Sequence, residues 1–85
     1  MSDKNTFVKI MKMNNIFVFK TSVNGNEEVR KLRPELNRLI NSFGEWNFDL
    51  EDCDRILRVE ARNLEAVTIR NLMRLKGYEC EELPG

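Results

Sequence analysis

Histidine is absent from all 85 residues. Its absence removes at once the commonest general base and the commonest metal ligand. Cysteine occurs only twice, as Cys53 and Cys80, too sparsely for a disulfide framework and in keeping with a reducing compartment. The opening stretch MSDKNTFVKIMKMNN has no apolar run that would serve as a signal-peptide core or a membrane span. A cytoplasmic protein is expected. Surplus charge is lacking too: fourteen Lys plus Arg balance fourteen Asp plus Glu, so net charge favours neither nucleic acid nor an anionic membrane as partner.

Length adds a further exclusion. A chain of this size buries only about 60 to 65% of its unfolded surface, leaving room for one modest core and little for a deep cleft with supporting residues. No enzyme and no cofactor are expected. The acidic run Asp49-Leu50-Glu51-Asp52-Cys53-Asp54 lacks the glycine and terminal glutamate spacing of an EF-hand loop, and reads as a solvated turn. The charges are segregated, with Arg30, Lys31, Arg33 and Arg38 in one segment and Asp49, Glu51, Asp52 and Asp54 in the next, as solvated faces often are.

The chain alternates strand and helix signals. Ile16 to Val23 is a β-branched and aromatic run closed by Asn24-Gly25, a strand followed by a turn. Val29, Leu32, Leu36, Leu39, Ile40 and Phe43 recur at three- and four-residue steps and place one apolar face on a helix from about Asn26 to Ser42. Glu27 and Glu28 suit its positive N-terminal end. Pro34 removes one internal donor, and Gly44 is expected to close the helix. Trp46, Phe48 and Leu50 alternate with polar residues, as do Leu57 and Val59 beyond the Asp52-Cys53-Asp54 turn, which describes a hairpin. A second helix is expected over Leu64 to Lys76, with Asn63 as N-cap and Gly77 as terminator. A last strand runs from Tyr78 to Leu83.

The expected architecture is α+β: a ferredoxin-like βαββαβ sandwich, with a four-stranded antiparallel sheet and two helices on one face. Residues 1–14 are expected to form a tail, and 15–85 the domain. Met11 and Met13 are alternative starts, and an added strand using Phe7, Val8 and Ile10 is the competing reading of the tail.

Ser22 to Leu36 resembles the Gly-Met-x-Cys-x-x-Cys loop and following helix of heavy-metal-associated domains. Val23 falls at the methionine, Gly25 at the first cysteine and Glu28 at the second, with Val29, Leu32 and Leu36 at the apolar helix positions. Lys76-Gly77-Tyr78 is similar to the family's small-residue-Gly-Tyr signature before the last strand. The resemblance spans Ile16 to Leu83. It implies a metal carrier only where the two thiolates are present, because soft sulfur selects soft ions. Here glycine and a carboxylate stand in their places, so the metal function is expected not to carry over.

Cys53 in the hairpin turn and Cys80 in the last strand are too far apart to replace the lost pair, at about 4.8 Å per strand. Cys80 is expected in the core and Cys53 near the surface. A metal shared between chains by two Cys53 residues, or an unorthodox site using Cys53, Cys80, Glu27 or Glu28, stays open as the alternative.

RNA-binding domains share this strand order and read bases with aromatic residues on two central strands. The third strand here, Arg55 to Val59, has no ring, and nucleic acid is not expected as a partner.

Apolar residues exceed what one core needs. Phe17 and Phe19 lie on one side of the first strand, Ile16 and Val18 on the other, and only one pair can face the helices. On the second helix Ile69, Leu72 and Met73 form a buried stripe that Leu64, Val67 and Leu75 do not join. Ile16, Val18, Leu64, Val67 and Leu75 are therefore interaction candidates, for a homodimer or a protein partner at the open sheet face or a strand edge. A helix register different from the one assumed would absorb some of them.

Overall fold

The computed structural model describes residues 15–40 and 44–84. The expected tail, 1–14, the expected end of the first helix near Ser42 with Phe43, and Gly85 lie outside the described residues. The elements are β1 (Asn15–Thr21), α1 (Asn26–Ile40), β2 (Gly44–Asp49), β3 (Ile56–Ala61), α2 (Ala66–Leu75) and β4 (Cys80–Glu82). The four strands form one antiparallel sheet in the order β2-β3-β1-β4. With two helices this is an α+β domain, compatible with a ferredoxin-like sandwich.

Period-two alternation decides which side of each strand is covered. Phe17 pairs with Val59 and Phe19 with Leu57 across β1 and β3, and the same two β3 residues meet Trp46 and Phe48 of β2. This row gathers with Leu32, Leu36 and Ile40 of α1 and Ile69 and Met73 of α2 into a single core. Phe19, Leu36, Leu57, Ile69 and Met73 are fully buried. Burying one such side chain contributes about 1.5–3 kcal/mol. The opposite row carries Ile16, Val18 and Lys20 on β1, Arg58 and Glu60 on β3, and Glu45, Asn47 and Asp49 on β2.

Pro34 lies within α1 and is exposed, so the helix gives up one intrahelical donor on its wet side. The exit of α2 is a Schellman turn, in which Tyr78 N–H donates to the Met73 carbonyl at 2.9 Å and Gly77 N–H to the Arg74 carbonyl at 2.9 Å. Gly77, at φ 93°, supplies the left-handed step there and sets Tyr78 beside the core.

Two expected helix boundaries are corrected. Gly44 does not close α1 but opens β2, opposite Ala61. Its requirement for glycine is steric, since a Cβ there would collide with the Glu60 carbonyl oxygen and come within 2.6 Å of the Ala61 Cα. Asn63 does not cap α2. It takes a left-handed conformation at φ 58°, which asparagine tolerates better than most residues, and turns the chain after β3. Glu65 holds the N-cap position without a side-chain cap bond, and the helix starts at Ala66. The first strand also ends earlier than the apolar run, at Thr21, and β4 is shorter than Tyr78 to Leu83.

Because backbone atoms of β3 are what a Gly44 side chain would meet, Gly44→Ala is expected to lower unfolding free energy by about 2 kcal/mol or more, the scale of overpacking. Urea denaturation measures it, and a loss under about 0.5 kcal/mol, the usual range for a surface change, contradicts the close approach.

Candidate functional site

The β1–α1 connection, where the resemblance would place metal ligands, is held by polar contacts from three directions. Thr21 is the buried polar residue at the end of β1. Its hydroxyl donates to the Arg55 carbonyl at 2.7 Å and accepts the Val23 N–H at 3.2 Å, while its own N–H donates to the Asp54 carbonyl at 3.1 Å. Ser22 and Glu79 are joined twice: Ser22 N–H donates to the Glu79 carbonyl, and the Ser22 hydroxyl accepts the Glu79 N–H at 2.8 Å. Arg55 supplies the third anchor. Its Nη1 donates to the Asn24 carbonyl at 3.0 Å, to Asn24 Oδ1 at 2.9 Å and to the Val23 carbonyl at 3.3 Å.

The entry to α1 is local. The Gly25 carbonyl accepts the N–H groups of Glu28 and Val29, which places Gly25 at the N-cap. The Glu28 carboxylate reaches back to accept the Asn24 N–H, a capping-box arrangement displaced by one residue. Glu28 is thus committed to the backbone. Glu27 faces solvent, 3.9 Å from Arg30. The position of Gly25 is open, with nothing within 4 Å of where a Cβ would stand.

The hairpin turn gathers a different set. One ligand atom each from Asp52, Cys53 and Asp54 lies within 4.8 Å of the others. Asp52 Oδ1 already accepts the Asp54 N–H at 2.8 Å, and the Asp54 carboxylate lies 3.9 Å from Lys20 Nζ. The cluster is a solvated turn whose carboxylates have partners of their own, mixing hard oxygen with one soft sulfur. Cys53 is exposed and Cys80 buried, both as free thiols. Cys80 opposes Thr21 on β4, so it belongs to the core and not to the turn.

No protein-family model, no curated protein and no solved structure matches the chain. Among the described residues no helix is long and apolar enough to cross a membrane.

Among the described residues several concave surfaces flank the core, one of about 730 Å³ lying between Arg70 and Arg74 of α2 and Cys80 of β4. A groove of about 900 Å³ runs between α1 and β2, with Val29, Arg33, Asn37, Trp46 and Phe48 among its walls. Trp46 Nε1 donates to Asn37 Oδ1 at 2.9 Å across it, and the Trp46 and Phe48 rings meet edge to face, 6.0 Å between centroids. A smaller groove of about 360 Å³ separates the helices on their outer side, with Leu39, Leu72 and Leu75 in its walls.

The five interaction candidates do not come together. Ile16 and Val18 stand on the open sheet face among Lys20, Arg58 and Glu60. Leu64 is half-buried against the core. Leu75 is 81% exposed and borders the interhelical groove, whereas Val67, 41% exposed, lies about 80° away around α2 at 100° per residue. Sequence reasoning placed Arg55 at the start of the third strand, which begins instead at Ile56, and missed its role in the loop. Its one unusual property, a left-handed φ of 51°, is a backbone feature that an arginine does not announce. The company of Asp52 and Asp54 around Cys53 was visible as adjacency, but only the tight turn brings their ligand atoms together.

Removing the caps separates local from long-range support. Glu28→Ala is expected to speed hydrogen exchange at the Asn24 amide and to cost about 1 kcal/mol, the scale of a lost cap. Arg55→Ala is expected to cost about 1 kcal/mol too, below the roughly 1.5–3 kcal/mol of bonds to charged groups because its contacts are largely exposed. Unchanged Asn24 exchange in the first variant argues against the Glu28 bond.

Two protons respond to burial. The Cys80 thiol is pushed from 9.0 up to about 11, by burial first and against the lowering pull of Arg70 and Arg74. The Tyr78 hydroxyl is raised above 10.0, again by burial first and then by the Glu28 carboxylate. Both groups hold protons more tightly folded than unfolded, so their contribution is complete below the unfolded values and is lost as pH rises through the folded ones. Stability is therefore expected to fall between pH 9 and 11, and less steeply in Cys80→Ala. Urea midpoints across that window check this, and parallel slopes for the two proteins refute the Cys80 part.

Proposed function

We propose that this chain is a ferredoxin-like, heavy-metal-associated-like module without a metal site, a non-catalytic cytoplasmic domain that works by binding another protein. The observation that carries this reading is the state of the β1–α1 loop. Gly25 offers no ligand there, and the carboxylate of Glu28 is spent on the Asn24 N–H. Arg55 closes the same loop with a guanidinium, and a fixed positive charge beside a cation site is unfavourable. The surrounding features agree with the scaffold: Leu32 and Leu36 behind the loop are buried, and Gly77-Tyr78 forms the turn into β4.

The competing reading, an unorthodox metal handler, draws its support from the Asp52, Cys53 and Asp54 cluster. Cys80 adds little to it, being 4% exposed with a thiol that stays protonated at neutral pH.

Metal analysis separates the two. The purified, reduced chain is expected to bind neither Cu(I) nor Zn(II) stoichiometrically, and Cys53→Ser to change nothing. The double variant Gly25→Cys/Glu28→Cys is expected to gain tight Cu(I) binding, because it supplies two thiolates at the family's spacing on a position with open space, and their two negative charges outweigh the single Arg55 guanidinium. Tight binding by the unaltered chain that vanishes in Cys53→Ser would establish the competing reading. Failure of the folded double variant to bind would remove the likeness of the loop.

A further inference from the structure

The two edges of the sheet differ. β4 has three residues and is followed by Leu83 and Pro84, and shortness and proline both discourage an edge from recruiting another strand. β2 has six residues, no proline, and a continuous register with β3 from Gly44 to Asp49. Its outer side borders the groove beneath α1. Among the described residues β2 is bonded along one side only, and in such a strand alternate residues direct N–H and C=O outward.

The two rows of β2 side chains are chemically distinct. Trp46 and Phe48 stand half-buried on the helix side, and Glu45, Asn47 and Asp49 stand exposed on the other. A strand added along β2 would set its own alternate side chains beside these rows. On one side it meets aromatic surface, on the other carboxylates.

That arrangement disfavours a second copy in the register that matches the two strands along their length. Antiparallel pairing of two β2 strands about Asn47 would set Glu45 of each against Asp49 of the other, and like charges directly opposite are destabilising. Around the groove Arg33 stands against Glu45, Asp49 and Glu51, so the local balance is acidic although the whole chain is neutral. We propose that the β2 edge docks an extended segment of another protein in which basic and apolar residues alternate, the basic ones facing Glu45 and Asp49 and the apolar ones entering the groove over Trp46 and Phe48. This rests on reading the chain as an interaction module and names the chemistry of its partner.

The test uses three blocked heptapeptides titrated into the full chain: alternating lysine and valine, alternating glutamate and valine, and lysine and valine in separate blocks. Trp46, the single tryptophan, reports binding by fluorescence, and amide hydrogen exchange locates it. The alternating basic peptide is expected to protect amides of β2 and not of β4, and to bind about tenfold more tightly than either comparator, the worth of two cross-strand charge pairs. Glu45→Lys/Asp49→Lys, both changes on exposed positions, is expected to transfer the preference to the glutamate peptide. No binding, equal binding of the two basic peptides, protection on β4, or an unchanged preference in the double variant would each overturn the proposal. Metal content of the same sample is read separately. A metal-free chain that ignores the peptides loses the edge site alone, whereas a metal-loaded chain refutes the module reading on which it rests.

Discussion

The antiparallel pairing of β1 with β3 governs the rest of the domain. These are the two central strands, and their register from Asn15 opposite Ala61 to Lys20 opposite Ile56 settles which side chains can reach a helix. A slip of one residue would exchange Phe17 and Phe19 for Ile16 and Val18 on the covered face. With Phe19 set against Leu57, the edge strands inherit their facing: Trp46 and Phe48 follow from β3, and Cys80 follows from Thr21. Both helices then deliver their apolar stripes to the same row. A small domain has little surplus burial to offset an error in that register.

At the end of β1 the inward row stops being apolar. Thr21 continues the alternation as a buried hydroxyl, and this is where the hairpin turn, the β1–α1 loop and β4 converge on one another. Buried polar groups need partners, and each contact that satisfies Thr21 also locates a neighbouring segment. The loop next to it is consequently shaped by hydrogen bonds, where a metal site would be shaped by ligand bonds. Glu28 and Arg55 supply opposite charges to opposite ends of the same peptide geometry, one accepting an N–H and the other donating to carbonyls.

What was legible in the sequence was whatever repeats with a period. The alternation in β2, the stripe of Leu32 and Leu36, and the pairing of Phe17 with Phe19 on one side of β1 all follow from spacing alone. The element order followed with them. Glycine and asparagine misled because each has several uses: Gly44 reads as a helix terminator but answers to the backbone of β3, and Asn63 reads as a cap but occupies a left-handed turn. The site was half legible. The glycine at 25 and the glutamate at 28 were visible as residues that carry no thiol, yet the role of Glu28 as a cap and of Arg55 as a clamp depends on three-dimensional proximity that no local pattern encodes.

Two of the supports of the loop, Glu28 and Arg55, also differ in their reach along the chain. The bond from Glu28 to Asn24 spans four residues and forms as soon as α1 does, whereas those from Arg55 to Asn24 span 31. Long-range contacts must wait for the chain between them to be ordered, since closing a longer loop costs more entropy. The helical entrance of the loop therefore closes at a small entropic cost, and its outer rim only at the larger cost of bringing the hairpin against β1. Opening it again from the folded state requires parting both the hairpin turn and Glu79 from the end of β1, so its motion is tied to contacts that span 31 and 57 residues.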